Sequence, residues 1–132
     1  MAGRLHEKAL PWYSIKTKTM KKFIVLYHAP AEAVASMGDA TPEEMEAGMK
    51  PWMEWAARCG DKLVDMGTPL ANGIKLIPDG SSKPSEVGVQ GFSILQAENI
   101  DDAKALMDGH PHLGWHAGCE IEIHESMSLP GM

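Results

Sequence analysis

The chain is short of cysteine, of long apolar runs and, beyond its first two dozen residues, of positive charge. Each shortage excludes something. Cys59 and Cys119 are its only cysteines. They are too few and too far apart for a disulfide framework or a cysteine zinc site, and read as buried free thiols. No apolar run approaches the ~20 residues that a bilayer-crossing helix needs. The first residues lack the apolar core of a secretory leader, which makes a cytoplasmic home the expectation. Bases are concentrated at one end. Residues 1–22 hold Arg4, Lys8, Lys16, Lys18, Lys21 and Lys22 against the single acid Glu7, so six bases face seventeen acids in the rest. An acidic body repels phosphate backbones, which argues against nucleic-acid binding.

What is present fits one domain. With 132 residues the chain can bury a core of its own but not two comfortable ones. A basic arm over residues 1–19 precedes a domain over 20–132. A basic arm on an acidic body is expected to dock on its own chain or on a twin. "ALPWYSIKTKT" reads either as an extra strand anchored by Trp12 or as a translated upstream stretch before a start at Met20.

Local patterns predict the elements. "KFIVLYH" (22–28) is rich in β-branched and aromatic residues and ends at Ala29-Pro30, which predicts a strand. Its alternating sets, Phe23/Val25/Tyr27 and Ile24/Leu26/His28, are both largely apolar, so both faces should be buried. Thr41-Pro42-Glu43-Glu44 is a capping box with proline at the first helical position. Met45, Met49, Trp52, Met53 and Ala56 follow as one apolar stripe expected to face a core, with a kink at Pro51 and a stop at Gly60. "KLVDMG" and "GIKLIP" read as strand pieces, and "PDGSSKPSEVG" as a surface loop. "GFSILQA" is a further strand. "NIDDAKALMDG" is a short helix with Ile100, Ala103, Leu106 and Met107 facing in. "CEIEIHE" places Ile121 and Ile123 on one strand face and Glu120, Glu122 and His124 on the other.

The order β-α-β-β-α-β is that of the ferredoxin-like split motif, an α+β fold with an antiparallel sheet and its helices on one face. The second face of such a sheet is bare. Apolar residues on both sides of the first strand therefore predict a cover, and a second copy packed sheet to sheet is the simplest one. The expectation is a homodimer.

"KKFIVLYHAP", "PWMEWAARCGDKLVDMGTPL", "GFSILQAENIDDAKAL" and the ending "GHPHL…CEIEIHE" together resemble the YCII-related domain family of dimeric α+β barrels. The likeness runs over roughly residues 20–128 as a string of short blocks. It implies a ferredoxin-like dimer with a small-molecule pocket beside the sheet. It also implies kinship with cofactor-free enzymes such as a chlorinated hydroquinone dehydrochlorinase, and with monooxygenases and lactone isomerases of the wider barrel group. Most members have no established activity. Members proposed to be catalytic pair a histidine on the first helix with an aspartate. Counting back from "KLVDMG", the matching position here is Lys50, beside Pro51. The turn that in relatives often reads acid-Pro-aromatic is here His110-Pro111-His112. That dyad does not carry over.

Four of the six histidines, His110, His112, His116 and His124, fall within "GHPHLGWHAGCEIEIHE". Three readings stand. As metal ligands they would need imidazoles converging at about 2.0–2.1 Å on one ion, and the prolyl turn need not converge them. As acid–base groups, His110 at the end of a helix would be the principal catalyst, favoured in its protonated form by the helix dipole. His112 and His28 would assist, Glu122 and His124 would bind substrate, and Trp52, Trp55, Tyr27 and Trp115 would wall a pocket for a small aromatic or enolisable molecule. As structural residues they would only connect a helix to a strand. The functional expectation is a cofactor-independent lyase or isomerase without a metal, its rival a non-catalytic small-ligand-binding or accessory dimer.

Overall fold

The computed structural model describes residues 20–130. The basic arm, with its expected strand or docking role, lies outside the described residues. The elements run β1 (Lys21–His28), α1 (Ala31–Met37), α2 (Pro42–Cys59), β2 (Leu63–Asp65), β3 (Ile74–Leu76), β4 (Ser82–Pro84), β5 (Val89–Ala97), α3 (Ile100–Leu106) and β6 (Glu120–Glu125). Short 3-10 turns occupy Gly60–Lys62 and Pro111–Gly114. The protein is mixed α+β. No helix among the described residues is long and apolar enough to cross a membrane.

The main sheet has the order β2-β5-β1-β6, with every neighbouring pair antiparallel. β1 lies inside it because its β-branched and aromatic run suits a strand bonded on both edges. Phe23, Val25 and Tyr27 point to one face and are almost fully buried, joined there by Leu95 and Ala97 of β5. α2 and α3 cover this face with Trp55, Cys59 and Ala103, and Met107 follows just after α3. Both helices therefore lie on one side. Ile24 pairs with Ile94 and His124, and Leu26 with Phe92 and Glu122, so these residues share the opposite face. No helix among the described residues packs its buried side chains there.

α2 starts as its capping box requires. Thr41 accepts from the Glu44 amide at 3.1 Å, and the Glu44 carboxylate accepts from the Thr41 amide at 2.8 Å. Gly60 ends it with a positive φ of 59°. The helix continues through Pro51. Its inward face differs from the expected stripe. Trp52, Trp55, Ala56 and Cys59 pack inward, whereas Met45, Met49 and Met53 are about half exposed. The two stripes share helical spacing and are offset by about a quarter turn. The tryptophans take the core because they remove more apolar area from water.

Three other expectations change. "AEAVASM" forms α1, which no cap or long periodic run announces. Part of the expected loop forms β4, which pairs with β3 as a separate two-stranded sheet, so "GIKLIP" does not join the main one. Ile100 is exposed, because only Ala103, Leu106 and Met107 reach the core. Gly67, by contrast, has no substitute. Its φ is 78°, and a Cβ there would lie 1.7 Å from the Phe92 carbonyl oxygen of β5.

Two substitutions test this packing by urea unfolding. Gly67→Ala forces β2 from β5 and is expected to destabilise by at least ~3 kcal/mol. Met49→Gln is expected to stay within about 0.5 kcal/mol of the native protein. A large loss at Met49 would return the methionine stripe to the core.

Candidate functional site

The six histidines divide by environment. His110 and His112 sit in the core, 2% and 4% exposed. The prolyl turn that carries them is closed by the rings themselves. The His112 amide donates to His110 Nδ1 at 2.9 Å, and His112 Nε2 donates to the His28 carbonyl at 2.8 Å. His110 Nδ1 is thus an acceptor, and the neutral ring carries its proton on Nε2. That Nε2 is buried without a hydrogen-bond partner. Around it stand Trp52, Trp55 and Tyr27, with ring centroids at 4.4, 4.5 and 5.1 Å. Aromatic rings offer a proton only weak π contacts.

Burial, with His112 and Arg58 adding to it, pushes the His110 pKa down to about 3. This reverses the expectation of a protonated ring at a helix end, because desolvation outweighs a dipole effect of about 1 kcal/mol. The expected pocket walls share this fate. Tyr27 and Trp55 are buried, and Trp55 Nε1 donates to the Leu106 carbonyl, tying α2 to α3. The Tyr27 hydroxyl donates to Ser93 Oγ at 2.8 Å, and Ser93 in turn donates to the Met66 carbonyl at 2.7 Å. Burial raises the Tyr27 pKa to about 12. Trp115 is partly exposed beside His112. His116 holds the Gly118 amide on Nδ1, with Glu32 at 3.6 Å from Nε2.

The other chemistry gathers on the open sheet face. Strand alternation projects Glu122 and His124 from β6 beside Leu26 and Ile24. His124 Nε2 donates to Glu122 Oε1 at 2.9 Å, which fixes the tautomer and leaves Nδ1 as the second nitrogen of an exposed ring. The same Oε1 lies 3.7 Å from His28 Nε2. His28 is anchored by its other nitrogen, whose N–H donates to the Val87 carbonyl at 3.1 Å. The hydrogen bond from His124, with His28 beside it, holds the Glu122 carboxyl below its usual range. The sequence thus places three expected site residues together, His28, Glu122 and His124, and sends two, His110 and His112, into the core.

A cleft of about 650 Å³ opens at the His28 end of this face, between α1, the 85–88 segment and Gly118. None of Trp52, Trp55, Tyr27 and Trp115 lines it. Sequence reasoning missed it because α1, on one side, carries weak local signals and the 85–88 segment, on the other, reads only as the end of a surface loop. Of its lining, His28 at the end of the opening strand and Glu120, the first member of the Glu120/Glu122/His124 alternation, were visible. Among the described residues no group of three or more His, Cys, Asp or Glu side chains is placed to hold a metal ion. No protein-family model matches this chain, and no curated protein matches it either.

The histidine buried as a neutral ring makes stability pH-dependent. Its pKa in the fold lies below the ordinary 6.5, so its contribution is complete above about pH 6.5 and is lost as pH falls toward 3. The loss at pH 3 is on the order of 4 kcal/mol. Urea unfolding of the native protein and of His110→Phe between pH 7 and 3 checks this. The variant should show a flatter profile over that range, and parallel profiles would remove His110 as the cause.

Proposed function

We propose that the chain is a ferredoxin-like, YCII-type homodimer of the cytoplasm that packs sheet to sheet and holds a small molecule against the open face. There Glu122 and His124 carry out cofactor-independent proton transfer of the lyase or isomerase kind. The strand order β2-β5-β1-β6, with α2 and α3 on one side, supports the topology. The apolar face of Ile24, Leu26, Phe92 and Ile94 supports the pairing of sheets.

One observation carries the chemistry: a carboxylate holds the Nε2–H of an exposed imidazole beside Ile24 and Leu26. His124 Nδ1 takes a proton from a carbon beside a carbonyl, and the Glu122 carboxylate stabilises the imidazolium so formed. The same nitrogen returns the proton to the product. A positioned base of this kind supplies roughly 10²–10⁴-fold in rate. His28 Nε2 faces the same carboxylate oxygen from 3.7 Å. The strand keeps the pair rigid, since successive inward and outward positions are set by the ladder of β1 and β6.

Deuterium exchange tests this reading. A panel of enolisable ketones, keto acids and lactones is incubated with the protein in D2O and followed by proton NMR. At least one compound should exchange its α-protons faster than in buffer. His124→Gln should slow that exchange by about 100-fold or more, Glu122→Gln by less, and His116→Ala not at all. If a compound binds and none exchanges, the face belongs to a binding protein without turnover. Full exchange by His124→Gln would move the base elsewhere.

A further inference from the structure

His28 ends β1 with one ring nitrogen satisfied and the other not. Its Nδ1 lies 3.1 Å from the Val87 carbonyl, an acceptor, so Nδ1 carries the proton of the neutral ring. Nε2 of that ring is then a bare lone pair. It is buried and has no hydrogen-bond partner among the described residues. What faces it is a second acceptor, Glu122 Oε1 at 3.7 Å. A lone pair held against a carboxylate satisfies neither group. A proton on Nε2 satisfies both, because the imidazolium donates to Val87 through one nitrogen and to Glu122 through the other.

The charged groups around the ring favour that proton. β6 brings Glu122 and also Glu120, the Cα partner of His28 in the ladder. The 85–88 segment brings Glu86 to the cleft that His28 lines, and β5 brings the uncharged Gln90. On α1, Glu32 lies beside His116 instead, at 3.6 Å. The prolyl turn brings His112, whose ring donates to the His28 carbonyl. Among the described residues no lysine or arginine lines the cleft.

Glu122 is also the partner of His124, whose Nε2–H it accepts at 2.9 Å on the same Oε1. One oxygen therefore serves two imidazoles. We propose that His28 controls the Glu122–His124 pair through its own proton: once protonated, it takes Glu122 as its second partner and weakens the carboxylate's hold on His124. Two effects act in one direction. The oxygen that turns to His28 is withdrawn from His124, and the new positive charge offsets the carboxylate that stabilises a His124 imidazolium. The two rings thus titrate as a coupled set. The catalytic consequence rests on the proton-transfer reading above: acid removes the base through His28 as well as through His124, which makes His28 a positioning residue. The coupling itself does not depend on turnover.

Nitrogen and carbon NMR of the histidine rings in the full chain tests it from about pH 8 to pH 5, the interval in which histidine changes charge. At the upper end the His28 ring should show the Nδ1–H tautomer. Glu122→Gln should move the His28 titration about half a pH unit or more lower, a roughly three-fold or greater loss in proton binding. His28→Gln should move the His124 titration higher by a similar amount. An Nε2–H tautomer at His28, or a His28 titration unmoved by Glu122→Gln, overturns the proposal. So does a His124 titration indifferent to His28→Gln. The tautomer is read on the native chain and stands even where a variant does not fold. None of these readings needs a substrate, so the coupling and the exchange activity at His124 fail or succeed separately.

Discussion

β1 carries apolar side chains on both faces, and it is bonded on both edges by β5 and β6. A strand in that position can hide both sets only between two layers. One layer is the pair α2 and α3, whose Trp55, Cys59 and Ala103 close over Phe23, Val25 and Tyr27. The second set, Ile24 and Leu26, continues through Ile94 and Phe92 of β5 into one apolar surface. Burying side chains of this size is worth about 1.5–3 kcal/mol each, which is why a second sheet is the natural partner for such a surface. The proposed chemistry inherits this constraint. Glu122 and His124 rise from the same face at its edge strand, β6.

The helical side of the sheet shows the opposite use of histidine. His110 and His112 close a prolyl turn with their own ring nitrogens and lock it to the end of β1. Packed on Trp52, Trp55 and Tyr27, they join β1, α2 and the turn before β6 into one aromatic core. That role requires a neutral ring at His110. A proton shuttle at neutral pH requires the reverse, a ring near water with a pKa near the working pH. In the proposed reading the same residue type serves both ends, because strand alternation sends His124 out while tertiary packing draws His110 in.

Much of this was legible in local sequence. Thr41 to Glu44 and Gly60 mark the ends of α2 through backbone capping that neighbours alone satisfy. The alternation in "CEIEIHE" placed Glu122 and His124 on one face, and the ladder with β1 confirms it. What failed depended on distant partners. The stripe of Met45, Met49 and Met53 has helical spacing as good as that of the tryptophans, and only the sheet beneath decides which is buried. β4 exists through its pairing with β3. α1 lacks a side-chain cap and is only 7 residues long, below the length at which periodicity speaks. The charge state of His110 was misjudged for the same reason: the helix end was visible, and the aromatic enclosure was not.

The sheet-to-sheet dimer is the claim on which the proposed site rests, and its mass in solution tests it most directly. Sedimentation equilibrium of the full chain at tens of micromolar should give twice the chain mass. Ile94→Lys, which sets a charge at the middle of the open face, should shift it toward the monomer while the circular-dichroism spectrum stays native. A native protein that sediments as a monomer over that range, or a dimer indifferent to Ile94→Lys, would contradict the account and leave the open face in need of a different cover.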